Sequence, residues 1–235
     1  MRRPPVAVTV ASYNIRKAVG SDMRRRPERI LAVLGETGAD IAVIQEADRR
    51  FGARHTTLPA GLLAEHGWRA VPFDTHAAAI GWHGNAVLVS GRVEIHSHAT
   101  LALPVLEPRG AVLADLAVDG EPLRIVGMHL DLSGLWRRRQ AHAILEHIAR
   151  QPHPLSTLMM GDMNEWRATA GCIADFARTH RLVLTGPSFP AGMPVARLDR
   201  IFASNELDVE DAGVHQSPQA KVASDHLPLW VRVKL

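Results

Sequence analysis

The stretch Leu158-Met159-Met160-Gly161-Asp162-Met163-Asn164-Glu165 sets a carboxylate and an amide two positions apart at the end of an apolar run. Residues 155–160 have the length and composition of a buried strand, whose end would deliver polar groups to one edge. In extended chain, positions i and i+2 point the same way, so Asp162 and Asn164 would converge on one small group. A carboxylate beside an amide suits the holding and deprotonation of a water molecule. Gly, Asp and Asn are equally the ordinary residues of a turn, so the stretch alone leaves both readings open.

Other apolar runs end in polar side chains of the same limited kind: Asn14, Glu46, His129, Asp199 and the pair Asp225-His226. Each has a plain explanation when taken singly. Asn14 suits a turn cap, Glu46 a surface acid, and Asp199 a local ion pair inside Arg197-Leu198-Asp199-Arg200. His129 is one of 13 histidines, and Ser224-Asp225-His226 suits a turn before the last strand. Their order along the chain is what makes them a candidate set.

The elements that must position them are legible in outline. An apolar β-rich run at 6–11 leads into Ser12-Tyr13-Asn14, a helix with Ile30, Leu31 and Leu34 on one face is expected from Pro27 to about Glu36, and a second buried strand runs through 40–46. That β-α-β opening brings two strand ends to a shared rim. Strands follow at 68–73, 77–82, 85–90, 92–100, 110–118 and 123–129, with an Asp119-Gly120 hairpin signal. A helix over 134–150 places Ala141, Ile144, Leu145 and Ile148 on its apolar stripe and Arg137 to Arg139 off it. After the strand at 155–162, a helix is expected near 169–180 and strands near 198–203, 207–215 and 227–233. The pattern predicts one α+β domain over residues 1–235, two packed sheets with helices outside.

With 46% hydrophobic and 22% charged residues in a 235-residue chain, disorder is excluded and a large core is expected. The single Cys172 excludes an intramolecular disulfide and a cysteine-based zinc site. The start Met1-Arg2-Arg3-Pro4-Pro5 carries no signal-peptide pattern, and no run approaches the roughly 18 apolar residues of a bilayer span. A cytoplasmic monomer is therefore expected. The net charge is only +3 but the pI is about 9.6, since the positive charge is nearly all arginine. Clusters at Arg24-Arg25-Arg26 with Arg29, at Arg49-Arg50 with Arg54, and at Arg137-Arg138-Arg139 suit phosphate oxygens, or else solvated helix faces.

In order, these motifs resemble the endonuclease/exonuclease/phosphatase superfamily. Ser12-Tyr13-Asn14-Ile15-Arg16 resembles its first motif and Ile44-Gln45-Glu46 its second. Gly84-Asn85 through Ser90, Glu107-Pro108-Arg109-Gly110-Ala111, Met128-His129-Leu130 and Gly161-Asp162-Met163-Asn164 follow. Leu198-Asp199-Arg200-Ile201 and Ser224-Asp225-His226-Leu227-Pro228 complete the series. The resemblance runs from residue 8 to the C-terminus.

It implies a four-layer α/β/β/α sandwich of two mixed sheets flanked by helices, a divalent ion, Mg²⁺ or alternatively Mn²⁺, and hydrolysis of a phosphate ester. On that footing Glu46, Asn14 and Asp225 are the metal ligands, hard oxygen donors suited to Mg²⁺. Asp162 deprotonates the attacking water and Asn164 fixes its position. Asp199 orients His226, which donates to the phosphoryl oxygens. His129 contacts another oxygen or assists the leaving group, and Arg109 binds phosphate. Glu165-Trp166 stands where inositol polyphosphate phosphatases carry Tyr-Arg, and Arg200 stands where apurinic endonucleases carry Tyr. The Asp-Arg-Ile form is closer to the pancreatic-type nucleases. A nuclease-like phosphodiesterase is thus the preferred expectation, a phospholipid-headgroup or small-molecule phosphoesterase the alternative, and a silent binding module the third.

Overall fold

The β-α-β opening forms as its sequence suggests, and the other elements extend it on both sides. The computed structural model describes residues 5–49, 55–73 and 78–235. In chain order the first elements are β1 (Ala7–Asn14), α1 (Pro27–Glu36), β2 (Ile41–Gln45), α2 (Ala60–Glu65), β3 (Arg69–Ala70), β4 (Ala86–Val89), β5 (Val93–Leu101), β6 (Gly110–Val118) and β7 (Glu121–His129). Then come α3 (Gly134–Ala149), β8 (Thr157–Asp162), α4 (Cys172–Phe176), β9 (Arg181–Val183), β10 (Asp199–Ala203), β11 (Asp208–Val214), α5 (Ala220–Ala223) and β12 (Leu229–Lys234).

The strands form two six-stranded sheets, ordered β11-β12-β1-β2-β4-β3 and β5-β6-β7-β8-β10-β9. Both are mixed: β1 runs parallel to β2 and β7 parallel to β8, while the remaining pairs are antiparallel. Val10, Val43, Val87, Val112, Ile125 and Met160 belong to the buried cluster between the sheets. The outer face of the first sheet buries Tyr13, Ile44 and Leu88 against Leu34, Leu63 and Ala223 of α1, α2 and α5. The outer face of the second buries Met128, Met159 and Phe202 against Ala141, Ile144 and Phe176 of α3 and α4. The result is a four-layer α/β/β/α sandwich, and each such aliphatic side chain contributes about 1.5–3 kcal/mol by leaving water.

Strand alternation then decides where the polar ends point. Val8 and Val10 face the inter-sheet core, and so by alternation does Asn14. The same count carries Ile125 to His129, Leu158 and Met160 to Asp162, and Ala203 and Ile201 back to Asp199. Register brings them level: Asp162 is the Cα partner of both His129 and Asp199. The inward row of each strand is apolar along its length and turns polar at one common end.

Three expected elements differ. The segment 78–85 is a loop, because the Asp48 carboxylate accepts the Ile80 and Gly81 backbone N–H groups that a ladder would need; residue 77, with Arg50 and Arg54 of one arginine cluster, lies outside the described residues. The helix expected over 169–180 contracts to Cys172–Phe176, since the residues before it are committed to the loop after β8. On α3, Arg137 is not on the solvated face. It is buried and ion-paired with Glu165 at 3.0 Å.

Gly161 is fixed by close approach rather than by flexibility. A Cβ there would lie 1.9 Å from the Met128 carbonyl oxygen, on a backbone with φ +147°. Gly161→Ala should therefore force β7 and β8 apart. The expected loss is at least about 1–3 kcal/mol, as for other overpacked cores, read as a lower urea midpoint.

Candidate active site

Asp162, buried at the end of β8, is the point on which the polar strand ends converge. Its Oδ2 accepts a hydrogen bond from Asn14 Nδ2 at 3.0 Å, across the gap between the sheets. Its Oδ1 accepts the Asn164 backbone N–H at 3.0 Å. Two imidazoles flank the same Oδ2, His129 Nε2 at 3.4 Å and His226 Nε2 at 3.7 Å.

The proximity of Asn164 has a different origin from strand alternation. The strand ends at Asp162, and Asn164 lies beyond it with φ +50°. A turn, closed by the backbone N–H to Oδ1, makes the contact. The Asn164 side chain donates instead to the Leu130 carbonyl at 2.9 Å, tying the loop after β8 to the end of β7.

His226 Nδ1 donates to Asp199 Oδ2 at 2.8 Å. The Ser188 hydroxyl makes a short hydrogen bond to the same oxygen. Burial opposes the charged form of His226 more than any other single influence. The charge and hydrogen bond of Asp199, with Asp162 and Asp225 behind them, outweigh it and raise the imidazole to about 10. The Phe189 ring lies 4.9 Å from the His226 ring, centroid to centroid.

His129 is buried too and goes the other way. Burial, aided by the Arg109 guanidinium, pushes it down to about 3 against the pull of Asp162. Arg109 Nη1 lies 2.9 Å from Nδ1 and 2.5 Å from Nε2 of this ring. Both ring nitrogens lie within reach of this one guanidinium nitrogen, the nearer being Nε2, so the neutral ring serves as the acceptor for Arg109. Arg109 also pairs with Glu107 at 3.6 Å.

Glu46 and Asp225 sit beside this group without touching Asp162. Both are partly exposed, and each faces a cationic side chain: Lys17 closes tightly on Glu46, and Arg16 Nε lies 3.4 Å from Asp225. Asn14 Oδ1 accepts the Arg16 backbone N–H at 3.1 Å, so the segment after β1 is folded back over the two carboxylates. Asp162, Asp199 and His226 also offer ligand atoms within 4.8 Å of one another. The Nδ1 of His226 is already held by Asp199, which makes this trio a hydrogen-bonded relay before it is a cation cage. Glu46 and Asp225 are the more accessible oxygen donors for a hydrated hard cation, with Asn14 buried beside them and its Oδ1 accepting from Arg16.

Sequence spacing did not reveal Lys17, Ser188 and Phe189. They lie in irregular segments after β1 and before β10, where no periodicity assigns a direction. Ser224, part of the last motif, donates to the Asn14 carbonyl at 2.7 Å and so ties the loop carrying His226 to β1. Asn85 likewise joins the sheets, its Nδ2 donating to the Gly110 carbonyl at 3.0 Å.

The molecule has relatives of the same plan. The uncharacterized protein YbhP of Escherichia coli K12 is 27% identical over 184 residues, covering 74% of this chain and 72% of YbhP. The endonuclease/exonuclease/phosphatase from Bacteroides vulgatus superposes with a TM-score of 0.79 at 17% identity, over 98% of this chain and 99% of that one. The TDP2 of D. rerio complexed with single strand DNA product superposes at 0.71 and 15% identity, over 97% and 98%. The Endonuclease/Exonuclease/phosphatase family matches residues 11–226. That span opens inside β1 and closes on His226, taking in every residue that meets Asp162, and the chain belongs to this family.

Proposed function

We propose that this chain is a divalent-metal-dependent hydrolase of phosphate esters, with phosphodiesters the preferred class. The observation that carries the reading is Asp162, a buried carboxylate held between a charged and a neutral imidazole. Pairs of groups whose environments push their protonation apart mark acid and base roles.

Asp162 is placed to hold a water by one oxygen and accept its proton, while the Asn164 backbone N–H fixes the other oxygen. Protonated His226 donates from Nε2 to a phosphoryl oxygen as charge develops there, and Asp199, itself braced by Ser188, holds the ring. Neutral His129 stands beside Asp162 and holds the Arg109 guanidinium at its ring nitrogens, a second source of positive charge for the phosphate. Glu46, Asn14 and Asp225 would hold the ion, Mg²⁺ or Mn²⁺, and their fit rests on the cationic Lys17 and Arg16 already drawn to those carboxylates. When bound, the ion supplies positive charge to the phosphate oxygens.

The arginine clusters suited phosphate oxygens or solvated helix faces, and the side chains of one of them are engaged within the molecule. Arg137 is buried against Glu165, Arg138 pairs with Asp175 at 2.8 Å, and Arg139 stacks over the Trp136 ring at 4.8 Å. Arg24 to Arg26 remain exposed. DNA, RNA and phospholipid headgroup diesters are accordingly compared as substrates, each with Mg²⁺ and with chelator. A binding module with no turnover on any of them is the outcome that sinks the reading.

Asp162→Asn should lower kcat by at least roughly a hundredfold with the circular dichroism unchanged, the scale of a lost general base. Glu46→Gln should weaken Mg²⁺ binding about tenfold or more by calorimetry, an effect of the size seen when metal-site groups are removed; equal affinity would move the ion elsewhere. His226 lies far above the ordinary value of about 6.5. Its stabilising charge is therefore present in full below that pH and lost as pH rises through about 10. Imidazole NMR of the metal-free protein should show that late titration, and Asp199→Asn should bring it down toward neutrality.

A further inference from the structure

Strand direction divides the molecule into two ends. β1, β2, β7 and β8 finish at the catalytic end, and β4, β6, β10 and β12 begin there. Most large apolar side chains that are well exposed among the described residues lie in a loop or the first turn of a helix at that end. Met23 follows β1 at 71% exposure, Leu106 precedes β6 at 68%, and Trp166 follows β8 at 68%. Leu132 and Leu135 open α3 at 60% and 61%, and Met193 precedes β10 at 73%. The turns at the opposite end, around 90–92, 119–120, 150–156 and 204–207, contribute none.

Exposed bases stand at both ends, Arg92, Arg150 and Arg181 among them at the other, but exposed acids are fewer at the catalytic end. Arg24, Arg25, Arg26, Arg167, Arg197 and Lys221 are exposed at the catalytic end. The exposed acids there are Asp22, ion-paired with Arg29 at 3.0 Å, and Glu28 in the first turn of α1; Asp225, Glu46 and Glu107 are partly exposed and each faces a base. The whole segment between β9 and β10 contains no acid. Exposed acids such as Glu94, Asp119, Glu206 and Asp208 stand elsewhere.

We infer that this end of the molecule docks on the surface of an anionic phospholipid bilayer, with the candidate active site facing the headgroups. The inference rests on the hydrolase reading only for what happens to a headgroup after docking. Apolar side chains spread singly over several separate loops do not shape one groove for a folded partner. They suit a fluid interface into which each inserts on its own, with the bases meeting anionic lipid. The alternative polyanion, single-stranded nucleic acid, is gripped through several aromatic stacking platforms. Of the six residues named here only Trp166 is aromatic; the others are Met and Leu. The rim is continuous with the chemistry: Leu132 follows His129, Leu106 precedes Arg109, and Trp166 packs edge-on against Phe189, which lies against His226.

The test is co-sedimentation of the full chain with vesicles of phosphatidylcholine alone and with about a third phosphatidylglycerol, enough to give an anionic surface. Binding to the anionic vesicles well above the neutral ones is expected. Leu106→Ser/Leu132→Ser/Leu135→Ser should weaken it at least about tenfold, as loss of inserted apolar area requires, with turnover of a soluble aryl phosphodiester unchanged. Arg24→Gln/Arg26→Gln should erase much of the preference for anionic lipid. Absence of sedimentation, or sedimentation indifferent to the leucine substitutions, would overturn the proposal. So would single-stranded DNA binding, or self-association by analytical ultracentrifugation, that those substitutions abolish while vesicles go unbound. Failure of the unaltered chain to turn over any diester overturns the hydrolase reading and leaves the vesicle result standing.

Discussion

A carboxylate between two hydrophobic sheets is the constraint on which the rest depends. Removing one ion from water costs several kcal/mol unless hydrogen bonds and opposite charge replace the lost hydration. Asp162 is 2% exposed, and its replacement partners come from both sheets. Asn14 reaches it from β1 of one sheet, His129 stands beside it on β7 of the other, and His226 arrives on the loop before β12. The two sheets must therefore meet at this end in one register. Asn85 to the Gly110 carbonyl and Ser224 to the Asn14 carbonyl hold the surrounding backbone to that register. The packed core below is nonspecific in comparison, since aliphatic side chains tolerate small slips better than buried polar groups do.

The same site shows how neighbours rather than burial choose a protonation state. His129 and His226 are about equally inaccessible, and both stand near Asp162. Burial presses both toward neutrality. One ring also has the Arg109 guanidinium at its nitrogens and falls; the other has Asp199 at its Nδ1 and rises. Two identical side chains thereby become one neutral and one charged imidazole beside the same carboxylate. Asp199 keeps an oxygen, Oδ1, buried without a hydrogen-bond partner, a further cost the site carries to keep His226 charged.

Much of this was legible because strands count in twos. The apolar rows through Val10, Ile125, Met160 and Ile201 lead by alternation to Asn14, His129, Asp162 and Asp199, so residue type and parity agree. Where the chain leaves regular structure, parity stops being informative. Asn164 meets Asp162 through a turn and not through a shared strand face. Gln45, not Glu46, has the inward parity of β2; Glu46 comes to the rim through a left-handed backbone, φ +56°. Ser188 and Lys17 gave no signal, since a loop residue's direction is set by contacts distant in sequence. Arg137 misled for a related reason: helical spacing gave it a solvent face, but Glu165, on the loop after β8, captured it.

Backbone strain marks the same end of the molecule independently of side-chain chemistry. A left-handed conformation costs an ordinary residue about 1–3 kcal/mol and persists where the surroundings over-determine it. Of the eight non-glycine residues with positive φ among the described residues, Asp119 sits in the hairpin between β6 and β7, at the opposite end. The other seven, among them Arg16, Lys17, Ala18, Glu46 and Asn164, lie in the loops around Asp162. Ala18 has no side-chain hydrogen bond to gain from that conformation, so its strain must be imposed by the path of its segment. That path carries Lys17 onto Glu46 and Arg16 onto Asp225, and the Lys17 N–H donates to the Glu46 carbonyl at 3.2 Å. Two carboxylates on separate elements are thus brought to one rim by a backbone that a relaxed loop would not adopt.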